Sequence, residues 1–235
     1  MSNKIIVTWG APRAGKTTLA VNLAAALAKE DTVLLVSSNL WFPELQLHFG
    51  QVVKEENSLA RLTREGFELY ELFTPVKGMA NLQLLTLPDN YSQLFGDYMN
   101  HELASSLFQQ LERYRFAHII VDGSAAPDNP LSTLALHQAQ TVLHLCRPVV
   151  TGLFWYRAIR PLRDALSLDK KSLYIANCPD NGKLYGEIEP DFELPEVEQM
   201  EQYLSQNRTA FAANQRKYAG RVKEIAAELQ KGASL

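Results

Sequence analysis

Short aliphatic runs alternate along this chain with stretches whose apolar positions recur every three to four residues. The runs at 4–9, 32–37, 82–87, 117–122, 141–146 and 172–177, with a shorter one at 192–194, predict strands. Helical spacing predicts helices at about 16–29, 57–73 (interrupted), 97–115, 130–139, 152–167, 196–212 and 214–231. Strand and helix in alternation is how a parallel sheet covered on both faces reads in sequence. The expected fold class is therefore α/β: a doubly wound, mainly parallel β-sheet flanked by helices. A chain of 235 residues can bury roughly 70–75% of its unfolded surface in one core, so a single domain over 1–235 is expected. Residues 178–191 carry Pro, Gly and acidic side chains and predict a loop.

The first strand runs directly into Gly10, Ala11, Pro12, Arg13, Ala14, Gly15, Lys16, Thr17 and Thr18. The spacing is G-x-x-x-x-G-K-T, and the reading is a phosphate-binding loop. Its glycines let backbone N–H groups turn inward around phosphate oxygens. Lys16 supplies a point charge near the β/γ-phosphates, and the Thr17 hydroxyl is placed to ligate Mg²⁺. The following helix, with Leu19, Leu23 and Leu27 on one face, turns its positive N-terminus to the same anion. A Gly-rich turn with no ligand is the alternative, and the strand before and the helix after argue against it.

Composition narrows the picture in three ways. Net charge is −3 and the isoelectric point about 6.0, which gives no global electrostatic case for nucleic acid. The densest basic stretch, Arg157, Arg160, Arg163, Lys170 and Lys171, reads first as a solvated face and second as a patch for DNA or an acidic partner. The two cysteines, Cys146 and Cys178, sit at the ends of apolar runs and read as buried thiols. No apolar run reaches the ~18 residues of a membrane span, and the N-terminus has no signal-peptide pattern. These features predict a cytoplasmic protein.

Two later strand ends add chemistry. The run 119–121 ends in Asp122, a Walker B pattern that puts one carboxylate at the carboxyl edge of the sheet, where Asp122 could hold Mg²⁺ directly or through water. The run 173–176 ends in Asn177, whose amide offers both a donor and an acceptor, as an adenine edge requires. A plain turn before Pro179 is the competing reading of Asn177. His118, His137 and His144 lack metal-ligand spacing. Trp41, Phe42 and Pro43 follow a buried strand and are expected in the core, with a docking wedge exposed beside the nucleotide as the alternative. The last helix carries Tyr218, Val222, Ile225, Ala226 and Leu229 as one stripe and is expected to pack on the domain rather than on a membrane.

A phosphate loop at the start, a strand end at 37–39, Asp122, Asn177 and a late Leu194, Pro195, Glu196 segment come in an order that resembles the ParA/MinD family of deviant Walker ATPases. The stretch 34–50 looks most like the CpaE/TadZ branch, which works in pilus assembly. The resemblance implies a P-loop NTPase fold with ATP and Mg²⁺ as cofactors and a nucleotide-dependent homodimer. It also implies a protein partner, and base recognition through Asn177, Leu194, Pro195 and Glu196.

The departures are specific. The family's signature lysine falls on Ala11, and the strand-end aspartates that order water and Mg²⁺ fall on Ser37 and Asn39. Arg13 stands where glycine is usual, and could contact phosphate or reach across a dimer. Losing a positioned base costs about 10²–10⁴ in rate, and losing a cross-dimer cation up to about 10³–10⁵. The expectation is an ATP-binding protein that positions or recruits a pilus, secretion or conjugation apparatus, with weak or absent hydrolysis and no catalytic residue assigned. Two alternatives are an active partition-type ATPase that binds DNA non-specifically, and a small-molecule P-loop kinase or synthetase.

Overall fold

The computed structural model describes residues 3–64, 66–88, 90–91, 99–178, 188–197, 200–209 and 215–231. Its strands are β1 (Lys4–Gly10), β2 (Val33–Ser37), β3 (Thr74–Pro75), β4 (Leu82–Leu85), β5 (His118–Asp122), β6 (Thr141–Cys146), β7 (Ser172–Asn177) and β8 (Phe192–Leu194). Its α-helices are α1 (Lys16–Leu27), α2 (His101–Leu111), α3 (Pro130–Gln138), α4 (Val150–Ala158), α5 (Arg160–Ala165), α6 (Met200–Ser205) and α7 (Arg216–Lys231).

The strands lie in one sheet in the order β3-β4-β2-β5-β1-β6-β7-β8. All described pairings are parallel except that of the short β3 with β4. Side chains alternate between the faces, as the period of two requires. Ile6, Leu35 and Ile120 join the core beneath α1 and α7. Ile5, Val7, Leu34 and Val121 join the core on the other face, with Leu107 of α2 and Leu131 of α3. Because β1 lies between β5 and β6, the chain winds outward on both sides of it. The carboxyl edge at such a reversal is where open α/β sheets bind ligands.

Several expected elements differ. The helix expected at 57–73 is a series of short 3₁₀ turns, including Glu55–Asn57, Leu59–Arg61 and Leu69–Leu72. Buried Leu59, Leu69 and Leu72 fix those turns to the core, so their apolar spacing reflects anchoring rather than a continuous helix. The helix expected at 152–167 is divided into α4 and α5 at Ile159, beside Pro161 in the first turn of α5, a position that suits the proline ring. The strand β3 had no signal in the apolar pattern. Most of the loop expected at 178–191, and parts of the helices at 97–115 and 196–212, lie outside the described residues.

The last helix packs as its stripe predicted: Tyr218, Val222, Ile225, Ala226 and Leu229 are buried against the α1 side of the sheet. Trp41 and Phe42 are a correction. They are 51% and 66% exposed, because the chain turns outward after buried Leu40 and is buried again at Pro43 and Leu45. Arg163 is another. It is 6% exposed, donates to Tyr156 Oη at 2.7 Å and to both Asp169 oxygens, and so is no part of a solvated basic face. Lys171 also turns inward, donating to the carbonyls of Leu136 and His137 at the end of α3. Cys146 is buried as expected, while Cys178 is half-buried.

Candidate nucleotide-binding site

The loop after β1 closes on itself, with the Ala14 N–H donating to the Ala11 carbonyl at 3.1 Å. Gly15 has φ 88°, and a Cβ there would meet the Asn177 amide nitrogen at 2.3 Å, so only glycine fits. Gly10 is required by close approach, since a Cβ would come within 2.2 Å of the Leu145 carbonyl oxygen. Arg13 has φ 61°, the left-handed conformation glycine favours, which accounts for glycine being usual at this position. Helix α1 starts at Lys16 with Gly15 as its cap, and among the described residues no side chain caps its first-turn N–H groups. Those donors and the helix dipole are left for an anion.

Lys16, Thr17, Thr18, Arg13 and Gly15 line a cleft of about 440 Å³ together with Asn39, Glu44, Asp122, Gly123, Ser124 and Ala125. The Lys16 ammonium donates to the Ala11 carbonyl at 2.9 Å. Burial holds the Lys16 pKa below its ordinary value, against the opposing fields of Asp122 and Glu44. The Thr17 hydroxyl lies 2.8 Å from Asp122 Oδ2 and 3.0 Å from Glu44 Oε1. Burial raises the Asp122 pKa to about 7, with the Thr17 and Lys16 interactions lowering it and the neighbouring Glu44 charge raising it further.

The end of β2 is bound to the end of β5. Ser37 pairs in register with Asp122, and Ser38 is the knot: its hydroxyl donates to the Asp122 carbonyl at 2.6 Å, accepts from the Ser124 N–H at 2.8 Å and lies 2.7 Å from the Ser132 hydroxyl. Ser37 is 2% exposed and its hydroxyl accepts from the Asn39 N–H. Asn39 does line the cleft, but its Oδ1 accepts from the N–H groups of Trp41 and Phe42 at 3.3 and 3.0 Å. Its acceptor is committed to a turn. Ala11 is 5% exposed and presents only a methyl group.

The structure thus brings Arg13, Gly15, Lys16, Thr17, Thr18, Asn39 and Asp122 together. Asn177 lies against the loop and donates its amide N–H to the Ala14 carbonyl at 2.9 Å, so it buttresses segment 10–18. Leu194 is 1% exposed, and its carbonyl accepts from the Cys178 N–H. Pro195 and Glu196 line a separate cleft of about 610 Å³ with Glu193, Arg216, Arg221 and Glu224. Glu44 went unread in the sequence. Its one signal was an acidic residue five positions past the neutral strand end at Asn39, and only the fold returns it to Thr17.

Comparison with solved structures gives matches over nearly the whole chain. The ParA family ATPase of Chlorobium tepidum superposes with a TM-score of 0.80 at 18% identity, covering 97% of this chain and 99% of that one. The fold is that of the ParA/MinD ATPases. MinD of Pyrococcus horikoshii, solved with Mg-ADP, matches with a TM-score of 0.77 at 18% identity, covering 99% of this chain and 98% of that one. In sequence, the chain is 27% identical over 176 residues to the septum site-determining protein MinD of Synechocystis. That match covers 74% of this chain and 64% of the cyanobacterial protein. No family model matches the sequence. No helix among the described residues is long and apolar enough to cross a membrane.

Proposed function

We propose that this chain is a ParA/MinD-type switch that binds ATP with Mg²⁺ and uses nucleotide occupancy to position or recruit a partner protein, with weak or absent hydrolysis. The observation that carries this reading is the convergence of the uncapped start of α1, Lys16, Thr17 and Asp122 on one cleft at the end of β1. The likeness to a MinD and to a Mg-ADP-bound structure supports it.

The donor set fits Mg²⁺. One hydroxyl and two carboxylates converge within hydrogen-bonding distance, all hard oxygens, and Mg²⁺ is commonly held by one or two carboxylates together with substrate phosphates. Thr17 and Asp122 would hold the ion, which when bound neutralises charge on the nucleotide phosphates. Lys16 holds the terminal phosphates, and the α1 N–H groups donate to the rest of the anion. Arg13, exposed at the mouth, adds a second cation.

Base selection through Asn177, Pro195 and Glu196, with the backbone at Leu194, belongs to this proposal. So do a nucleotide-dependent homodimer and a pilus, secretion or conjugation apparatus as the partner. Weak turnover follows from neutral Ser37, Asn39 and Ala11 at the three positions where the resemblance calls for charge. Calorimetry tests the reading. Lys16→Ala is expected to weaken ATP binding at least about tenfold, since a charged donor to phosphate contributes about 1.5–3 kcal/mol. Equal affinity for the two proteins, with both folded, would remove the phosphate-loop assignment.

A further inference from the structure

Two acidic side chains converge on one hydroxyl in this site. The Thr17 hydroxyl has a single hydrogen, and it lies 3.0 Å from Glu44 Oε1 and 2.8 Å from Asp122 Oδ2. One hydroxyl can satisfy only one acceptor fully. Both carboxyl groups face the cleft that Lys16 and Arg13 line.

Glu44 is held there by construction. Asn39 folds the chain into a turn by accepting from the Trp41 and Phe42 N–H groups. Immediately after Glu44, Leu45 and Gln46 are locked in the interior at 0% and 1% exposure. Glu44 also occupies the cap position of the 3₁₀ helix Leu45–Phe49. The neutral residue at the end of β2 therefore serves as a turn-former, and the negative charge is delivered five residues later.

We propose that Glu44 is a positioning residue of the metal site: it accepts the Thr17 hydroxyl proton, which directs an Oγ lone pair to Mg²⁺, and it adds the negative charge that Ser37 and Asn39 lack. Asp122 is then released from Thr17 to act toward the ion or its water. This inference rests on the nucleotide-site reading above and assigns the metal dependence of that site to a residue outside the loop and strand motifs. Partners that orient a metal ligand typically change metal affinity 10–100-fold when removed.

The test is nucleotide binding as a function of Mg²⁺, measured by calorimetry on wild type, Glu44→Gln and Glu44→Ala, with Lys16→Ala alongside. Glu44→Ala is expected to raise the Mg²⁺ concentration for half-maximal ATP binding roughly tenfold, and Glu44→Gln, which keeps an acceptor but loses the charge, by less. In EDTA both variants should bind ATP as well as wild type or better, because a negative charge facing the phosphates is gone. A merely structural role would lower affinity equally with and without the metal, and that result overturns the proposal. Unchanged Mg²⁺ dependence overturns it too. Wild type that binds no nucleotide would instead sink the site reading itself, a failure the Lys16→Ala comparison shows separately.

Discussion

At the scale of single residues, the molecule spends polar groups in unusual places. Arg13 keeps a left-handed backbone at φ 61°, which costs a non-glycine residue roughly 1–2 kcal/mol. Its guanidinium at the cleft mouth is the evident return. His144 lies in the middle of the sheet at 0% exposure, and among the described residues neither of its ring nitrogens has a hydrogen-bond partner. It stacks on Tyr174 and meets Trp9, Trp155 and Tyr156. Burial, reinforced by the nearby Arg163 charge, lowers its pKa to about 3, and burial lowers that of His48 to about 4. Both folded values lie below the ordinary 6.5, so the unfolded chain binds more protons below that pH. Their stabilisation is complete above about pH 6.5 and is lost as the pH falls toward 4 and then 3. Denaturant unfolding should show a loss of about 1–2 kcal/mol per histidine between pH 7 and pH 5. His144→Phe, which fits the same aromatic surroundings, should remove its share of that slope, and an unchanged slope would refute the assignment.

Elements show the same economy. Helix α7 covers α1, and α1 presents its start to the cleft lined by Lys16 and Thr17, so the last helix backs that cleft through α1. Ile225 is 0% exposed in that contact. Ile225→Ala should cost about 2–5 kcal/mol in unfolding free energy, with ATP affinity close to wild type under conditions where the variant is folded. An equal loss of ATP affinity in fully folded protein would mean that α7 acts on the loop directly. The divided α4 and α5 are tied down by Arg163 rather than by apolar burial alone. Its guanidinium lies 3.8 Å from the Tyr156 ring centre, and the paired Asp169 also accepts from Tyr174. A basic-looking helix stripe thus resolves into one internal cation and its neighbours.

For the whole molecule, the question is whether nucleotide occupancy or hydrolysis drives the switch. A ligand shifts a conformational equilibrium only by its differential affinity for the two states. If occupancy suffices, a non-hydrolysable ATP analogue should produce the same change in assembly state as ATP. Multi-angle scattering with Mg²⁺ and either nucleotide checks this. A dimer formed with the analogue and with ATP alike fits a binding switch, whereas cycling that stops with the analogue requires hydrolysis. Exposed Trp41 and Phe42 lie just after β2, and exposed Val150 and Phe154 on α4 after β6. These apolar groups on both sides of the central strand make the carboxyl edge of the sheet the place to look for that assembly.

The glycine-cornered loop after β1, Asp122 at a strand end and the parallel sheet were legible in the sequence because each is written in contiguous residues. A glycine pattern enforces its own backbone, and aliphatic runs of strand length have few other places to go. The buried stripe of α7 was legible for the same reason, since helical periodicity is local. What only the tertiary structure decided depends on which distant segments meet. Arg163 reads as solvated until Asp169 and Tyr156 enclose it. Trp41 and Phe42 read as core until the turn at Asn39 carries them outward. Asn177 reads as a strand end until Gly15 is seen to need the space beneath its amide. Glu44 is separated from Thr17 by 27 residues and from Asp122 by 78, and no spacing rule joins them. Their meeting is set by the register of β2 against β5 and by one asparagine turn, so the charge balance of the site is a property of the fold.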